Sequence, residues 1–246
     1  VISLTMAWRC YFCNPALSLN RREKGSFERN ILQKALKIGT PVAVQEIAMS
    51  GAQVASTMII APLGAVAIAA HSFAITAESF CYMPGYGIGS AATTLVGRSI
   101  GAKKDTLARR YGIICTVMGA VFMGLTGLLM MFLCPLVFRV LTPDPNVRQL
   151  ATRVLRIGLL AEPLYGVSIV AAGALRGTGD TFVPSLMNLG SIWIVRIGLA
   201  MLLVGPLGLQ GVWIAMATEL CVRGLLMLYR HKTTPYYKKM PTAGPF

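Results

Sequence analysis

The sequence predicts an all-α membrane protein built around six transmembrane helices. Three observations carry this prediction: 55% of the 246 residues are hydrophobic, only 13% are charged, and the apolar residues form six long runs. A soluble chain of this size has about a quarter of its residues charged, and this chain has too little polar surface to cover a globule. The lipid bilayer is therefore the expected solvent.

Each apolar run holds about 20 residues or more, which a hydrocarbon core of about 30 Å requires at a rise of about 1.5 Å per residue. The second run is long, and Pro84 marks a candidate break within it. Asp180 is expected to cap the amino terminus of the fifth. The predicted spans are Leu36–Ala61, Ala65–Val96, Tyr111–Leu133, Ala151–Leu175, Val183–Val204 and Leu207–Tyr229.

The spans divide the chain into three parts. Residues 1–33 are expected to hold the end of a preceding transmembrane helix and a hydrophilic linker, residues 34–229 a six-helix transmembrane lobe, and residues 230–246 a basic tail. Most of the 23 Lys and Arg residues lie in the linker, the tail and the loops on their side. The positive-inside rule places that side, and both visible termini, in the cytoplasm, and predicts a multi-pass protein of the cell (inner) membrane.

The formal net charge of +14 raises the alternative of a nucleic-acid-binding protein. The basic residues stand in short segments between apolar runs rather than among exposed aromatic residues, which favours membrane topology and predicts no nucleic-acid partner. The segment Gly87-Ile88-Gly89-Ser90-Ala91-Ala92 matches a dinucleotide-binding fingerprint, but it lies inside an apolar run without a preceding strand. We interpret its small residues as a surface on which helices approach closely.

Catalytic and metal chemistry have little support in the sequence. Cys10 and Cys13 form a CxxC pair, but no further ligands follow at the spacing of a zinc site. The predicted spans contain a single His and neither a nucleophile elbow nor an HExxH helix. We therefore predict no enzyme activity, no metal site and no cofactor.

Ionisable side chains inside the spans are the candidate functional residues, because each costs about 2.5–3.5 kcal/mol at the bilayer centre and usually faces a cavity or a partner. Glu46 and Glu162 are the main candidates, since no basic residue lies within one helical turn of either. An unpaired carboxylate in a low dielectric takes up a proton or coordinates a cation. Gln45, and the carbonyl that Pro163 frees from helical hydrogen bonding, are candidate further ligands.

Glu78 and Glu219 have polar neighbours. His71 precedes Glu78 by seven residues on the same helical face, which leaves open a proton relay or simply two polar groups at a helix interface. For Glu219, Arg223 follows at i+4 and Arg196 lies at a similar depth in the preceding span. We expect Arg196 and Glu219 to form a neutralised structural pair within the membrane.

Four segments resemble motifs of the multidrug and toxic compound extrusion (MATE) family of transporters. They are PLGAVAIAAH at 62–71, MPGYGIG at 83–89, LVGRSIGA at 95–102 and GALRGTGDT at 173–181. The resemblance implies a twelve-helix fold in two six-helix lobes, with this chain as the carboxyl-terminal lobe and a missing amino-terminal lobe as its partner. It also implies export of amphipathic, often cationic, organic compounds in exchange for Na⁺ or H⁺.

The resemblance further implies where ions bind. The family's second lobe uses an acid in its first and fourth helices, and those positions carry Met49 and Tyr165 in this chain. Glu46 and Glu162 lie about one turn earlier on the same helical faces, about 5 Å along the helix. The resemblance thus implies an ion or substrate site that includes Glu46, Glu162 and Tyr165.

We predict secondary active transport, in which a cation or proton bound at Glu46 and Glu162 shifts the protein between outward-open and inward-open states. Two alternatives stay open. A lipid-linked oligosaccharide flippase of the same superfamily requires cationic residues in its cavity, where only Arg196 lies deep. An inactive half-transporter is the other, because one lobe lacks the opposing wall of the cavity unless two copies pair or an amino-terminal lobe is supplied.

Overall fold

The structure, a computed structural model, describes residues 5, 8 and 29–233. The CxxC pair at Cys10 and Cys13, most of the predicted linker and the chain beyond residue 233 lie outside the described residues. The chain divides into two compact units, Val1–Lys37 and Ile38–Phe246. In the first unit, residues 29–37 are helical, and the second unit contains every residue of the candidate site.

Every regular element in the described part of the chain is helical. A short 3₁₀ turn, Ala61–Leu63, lies between the first two helices, and the sixth helix is π-helical over Ser191–Ile197. The helices are α1 (Arg29–Ile60), α2 (Ala65–Gly101), α3 (Asp105–Leu141), α4 (Pro145–Leu159), α5 (Glu162–Gly177), α6 (Phe182–Leu207) and α7 (Leu209–Thr233).

These helices cover the six predicted spans. Within residues 29–233, four helices (α2, α3, α6 and α7) are long and apolar enough to cross a membrane, and α4 with α5 passes the same test as one span bent by 54°. The all-α, polytopic fold class is therefore confirmed. Helix α1 covers the first predicted span but is not in this set, because Gln45, Glu46 and Gln53 lower its mean hydropathy.

Two local predictions were wrong. Helix α2 continues through Pro84 without a break, since a proline removes only one helical hydrogen bond and α2 is packed against α3 and α5. Asp180 does not cap α6, whose capping position is Thr181. The Asp180 carboxylate instead accepts a hydrogen bond from Arg230 at 2.8 Å, an ion pair that joins the start of α6 to the end of α7.

Helix α5 is the most deeply buried element and packs against α2, α3 and α7. Its contact with α2 is a seam of small residues, in which Gly89, Thr93 and Gly97 face Gly173 and Gly177. A β-carbon on Gly97 would lie 3.3 Å from the carbonyl oxygen of Gly177. The Thr93 hydroxyl donates a hydrogen bond to the Gly173 carbonyl at 2.8 Å. These small residues let the two helices approach closely, as in other membrane helix pairs.

Candidate functional site

A cavity of ≈ 140 Å³ lies between α1, α2, α5, α6 and α7, and we call it the lobe cavity. Three tyrosines, two methionines, two arginines and one glutamate line it, so it combines apolar surface with charge. Its lining residues are Met49, Gln53, Ile75, Glu78, Tyr82, Tyr86, Tyr165, Ile192, Arg196, Met216, Leu220 and Arg223.

Helix α2 builds one wall of the lobe cavity. Glu78, Tyr82 and Tyr86 follow one another at four-residue spacing, which puts all three on one face of the helix. The Tyr82 ring makes edge contacts with Tyr86, at a centroid distance of 5.9 Å, and with Tyr165 of α5, at 5.8 Å. Such edge-to-face pairs are worth about 0.5–1.5 kcal/mol beyond their buried area. The three rings therefore form an ordered aromatic surface next to a carboxylate.

Glu78 is buried, and its Oε1 atom has no hydrogen-bond partner. Gly158 at the end of α4 leaves room for it, because a β-carbon there would lie 3.3 Å from Oε1 and 2.8 Å from the ring of Trp213. A buried acceptor without a partner costs about 1–3 kcal/mol, and more when it is charged. The carboxylate of Glu78 consequently favours a bound proton or cation.

His71, the predicted relay partner of Glu78, has a different hydrogen-bond partner. The indole Nε1–H of Trp213 donates to His71 Nδ1 at 3.2 Å, and the two rings meet edge to face. In the described part of the chain no hydrogen bond joins His71 to Glu78. The relay stays a prediction, and the structure gives His71 a packing role between α2 and α7.

Glu162 is the first residue of α5 and lies at the 54° bend that follows α4. It is only 1% exposed, and neither carboxylate oxygen has a hydrogen-bond partner. Gly127 of α3 packs against it, since a β-carbon on Gly127 would lie 3.1 Å from Glu162 Cβ. Glu162 does not line the lobe cavity, but its charge interacts with that of Glu78.

Glu46 and Gln45 do not line the lobe cavity. Glu46 is exposed on α1, two turns before Gln53 and on the same helical face. Gln45 is buried, makes a 3.8 Å contact from its amide nitrogen to the sulfur of Met49, and lines a separate pocket between α1 and α6. The structure therefore does not bring Glu46 or Gln45 to Glu162, and the joint role of these residues stays a prediction.

The predicted pair of Arg196 and Glu219 is not the ion pair that the structure shows. Glu219 is fully buried and forms an ion pair with Arg223, with 3.2 Å between Oε1 and Nε. The hydroxyl of Ser191 donates to the same oxygen at 3.0 Å. Arg223 takes this place because it lies one turn further along the same helix. Arg196 lines the lobe cavity and interacts with Glu219 only over a longer distance.

Three predicted residues, Glu78, Tyr165 and Arg196, thus meet in one cavity. Tyr165 also lies under the guanidinium of Arg223, at 5.2 Å from the ring centroid, a cation–π contact. Sequence reasoning missed three other polar and aromatic lining residues, Gln53, Tyr82 and Tyr86, and it named Arg223 only as a neighbour of Glu219. The four-residue spacing from Glu78 through the two tyrosines was the signal that could have identified two of them.

The MatE family profile matches residues 41–202, more than half of the chain. A probable multidrug resistance protein NorM of Thermotoga maritima is 33% identical over 201 residues, which are 80% of this chain and 43% of the relative. The fold matches the crystal structure of a MATE protein in complex with MaL6, with a TM-score of 0.84, 18% identity and coverage of 94% of this chain and 52% of that chain.

A second solved structure, the Vibrio cholerae MATE transporter VcmN in its bent form, matches with a TM-score of 0.81 and 16% identity. That match covers 97% of this chain and 54% of the VcmN chain. The chain spans about half the length of the relatives it matches. The match to the family profile establishes that this chain belongs to the MATE family of multidrug efflux transporters, and its fold agrees with that assignment.

Proposed function

We propose that this chain is the carboxyl-terminal lobe of a secondary active exporter, which moves amphipathic, often cationic, organic compounds outward in exchange for Na⁺ or H⁺. The observation that carries the proposal is the buried carboxylate of Glu78, with an unpartnered oxygen, on the wall of an aromatic cavity. A proton, a metal cation or a cationic group of the substrate can neutralise this carboxylate. Only one of them can bind it at a time, so the ion and the substrate compete for it. Competition between ion and substrate for one site is what antiport requires.

Glu162 is the second ion site of the proposal. Its two oxygens have no hydrogen-bond partner, so a bound ion removes a large cost of burial. In the described part of the chain, no group of three or more His, Cys, Asp or Glu side chains is placed so that it could hold a metal ion. A metal cation at Glu162 would therefore also use hydroxyl or carbonyl oxygens, and the Leu159 carbonyl is suited because Pro163 has no N–H to donate to it.

Glu162 and Glu78 act together in this proposal because their charges repel each other. A cation at Glu162 reduces the negative potential that attracts the cationic group of a substrate to Glu78, so the ion and the substrate bind alternately, as antiport requires. Tyr82 and Tyr165 give flat organic molecules an aromatic surface. We assign exposed Glu46 to the cleft between this lobe and an amino-terminal lobe, and the proposal gives Gln45 no part in ion binding.

We further propose that the basic end of the lobe faces the cytoplasm and that the protein is located in the cell (inner) membrane. Lys103 and Lys104 lie in the turn between α2 and α3, and Arg176 ends α5 at the same side of the membrane. Ion and substrate then meet the lobe from opposite sides as the protein changes between its outward-open and inward-open states.

Ethidium efflux from lipid vesicles tests the proposal. The chain is joined to an amino-terminal six-helix lobe, and Na⁺ and proton gradients are imposed separately. We expect efflux under one gradient, with loss of efflux in Glu78→Gln and Glu162→Gln and a smaller reduction in Glu46→Gln. Asp105→Asn, which removes an exposed carboxylate at the start of α3, serves as the matched control and retains efflux.

Two results would contradict the proposal. One is efflux that does not depend on either gradient, and the other is gradient-driven efflux that survives both Glu78→Gln and Glu162→Gln. The unjoined 246-residue chain is measured in parallel, and we expect no efflux from it because its cavity lacks the opposing wall.

A further inference from the structure

We propose that Arg196 binds an anionic group of the substrate, so that the lobe cavity selects zwitterionic aromatic compounds over compounds whose charge is purely positive. The inference rests on the proposed function, since it names the substrate chemistry of the same cavity. In this scheme the cationic group of the substrate binds at Glu78, and its carboxylate or similar anion binds at Arg196.

Arg196 lies in an unusual backbone segment of α6 and lines the lobe cavity. Residues Ser191–Ile197 are π-helical, and π-helical turns inside α-helices occur frequently at functional sites. Ile192 and Arg196 both line the lobe cavity, and Arg196 also lines the small adjoining pocket next to His71 and Trp213. The guanidinium therefore belongs to the cavity wall rather than to the lipid-facing surface of α6.

The charges around Arg196 leave it available for an anion. Glu219, Arg223, Glu78 and Tyr165 are the groups that interact with it electrostatically. Glu219 is already bonded to Arg223 and to Ser191. In the part of the chain that the structure describes, no ion pair joins Arg196 to a carboxylate.

The charge balance of the cavity disfavours a purely cationic occupant. The pair of Glu219 and Arg223 is neutral, which leaves one negative charge on Glu78 and one positive charge on Arg196. A cation at Glu78 consequently leaves the positive charge of Arg196 without compensation inside a low-dielectric site, where such a charge is costly. A carboxylate on the same molecule provides that compensation.

The remaining lining residues suit such a molecule. The planar guanidinium of an arginine binds carboxylates in a bidentate geometry. The rings of Tyr82, Tyr86 and Tyr165 can hold an aromatic body, and Met49 and Met216 supply adaptable apolar contacts. The volume of ≈ 140 Å³ accommodates the charged end of a drug-sized molecule, whose remainder then extends toward the other lobe.

The test uses two fluorescent rhodamines with the same xanthene ring system, one with a free carboxylate (a zwitterion) and the other its methyl ester (a cation). Their binding to the 246-residue chain in lipid nanodiscs is measured by fluorescence polarisation. We expect the chain to bind the zwitterion about tenfold more tightly, which corresponds to one charge-assisted hydrogen-bonded contact. Arg196→Gln should reduce this preference to within about twofold while the affinity for the ester stays unchanged or increases.

Control variants separate binding from folding. Arg153→Gln removes an exposed arginine of α4 and should keep the preference. Arg196→Lys keeps the positive charge but not the bidentate geometry, and it should keep only part of the preference for the zwitterion. The double variant Glu78→Gln with Arg196→Gln preserves the net charge of the cavity. It therefore remains informative if Arg196→Gln alone does not fold. We expect the double variant to lose the preference for the zwitterion as well.

Equal affinity of the unmodified chain for the two rhodamines would overturn the inference, as would a preference that survives in both Arg196 variants that lack the positive charge. The failure of the inference and that of the proposed function are distinguishable. Ion-driven ethidium efflux without a preference for the zwitterion would overturn this inference alone. Absence of both efflux and rhodamine binding would overturn both.

Discussion

Two regions of the lobe each contain a carboxylate that is almost completely buried, and the two carboxylates differ in whether the protein supplies a partner for them. Glu219 on α7 is 0% exposed and Glu162 at the start of α5 is 1% exposed. One oxygen of Glu219 is held by Arg223 and by Ser191, whereas neither oxygen of Glu162 has a hydrogen-bond partner. Burial alone therefore does not identify a functional acid. The paired acid joins α6 to α7, whereas both oxygens of the other acid are without a hydrogen-bond partner.

The sequence around each acid explains the difference. Arg223 stands one turn after Glu219 on the same helix. Gly158 and Gly166 stand four residues before and after Glu162, and Gly127 packs against it from α3. Glycine has no side chain that could donate a hydrogen bond, so the positions from which a partner would reach Glu162 are empty.

Breaking the pair at Glu219 should give the largest effect on stability. Glu219→Gln keeps the shape of the side chain but leaves Arg223 as a buried charge without its carboxylate, which costs about 3–5 kcal/mol. For a domain of this size we expect the Tm to fall by roughly 6–20 °C. A thiol-reactive dye in detergent micelles measures it, because buried Cys81 and Cys134 react only after unfolding.

A double substitution checks that the lost pair is the cause. Replacing Glu219 by Leu together with Arg223 by Met removes both charges, and such apolar replacements of buried ion pairs are often neutral or stabilising. We expect the double variant to recover most of the Tm. A single variant as stable as the unmodified chain would mean that the pair contributes no stability.

A smaller effect is expected where the space beside Glu162 is filled. A β-carbon on Gly127 would lie 3.1 Å from Glu162 Cβ and 3.2 Å from its Cγ, so Gly127→Ala overpacks the contact of α3 and α5. Overpacking costs about 1–3 kcal/mol, and the Tm should fall by roughly 2–12 °C in the same dye assay.

Gly124 provides the matched control on the same helix. Its β-carbon would meet Pro163 at 3.4 Å, an ordinary contact. Gly124→Ala should therefore gain the roughly 0.5–1 kcal/mol that alanine gives in a helix interior, and its Tm should rise slightly. A Gly127→Ala variant that is as stable as Gly124→Ala would show that the space beside Glu162 is not tightly packed.

Much of the fold was predictable because it depends on length and hydropathy. Six runs of spanning length became helices, with boundaries extended by several residues at the ends of α2 and α3. The bend in the fourth predicted span was not predicted, although Glu162 and Pro163 stand at it. A proline at the first turn of a helix is compatible with a new helix start, but a span that long can also continue through it.

The candidate site was less predictable because side-chain partners depend on how helices rotate against each other. The choice of Arg223 over Arg196 as the partner of Glu219 was visible as i+4 spacing, but the π-helical turn that contains Arg196 has no sequence pattern of its own. Glu46 was predicted on the same grounds as Glu162, yet it is exposed. The sequence pattern of a polar helix face is the same whether that face packs inside this lobe or against another lobe.

Neutralising Glu162 should change stability least and ion response most. Glu162→Gln removes a charge that has no partner in the protein, so no favourable contact is lost and the Tm should equal or exceed that of the unmodified chain. The coupling ion identified in the efflux assay should stabilise the unmodified chain by about 2.7 kcal/mol at one hundred times its Kd. The variant should lack the part of this stabilisation that comes from ion binding at Glu162, while the part that comes from Glu78 remains.

The two acids therefore predict opposite patterns in one assay, in which the Tm is measured with and without the coupling ion. Glu219→Gln should lower the Tm and keep the ion-dependent rise, since Glu162 is intact in that variant. Glu162→Gln should keep the Tm and lose a large part of the rise. If Glu162→Gln lowered the Tm as much as Glu219→Gln does, or responded to the ion as strongly as the unmodified chain, then Glu162 would be a structural residue and the contrast with Glu219 would lose its functional meaning.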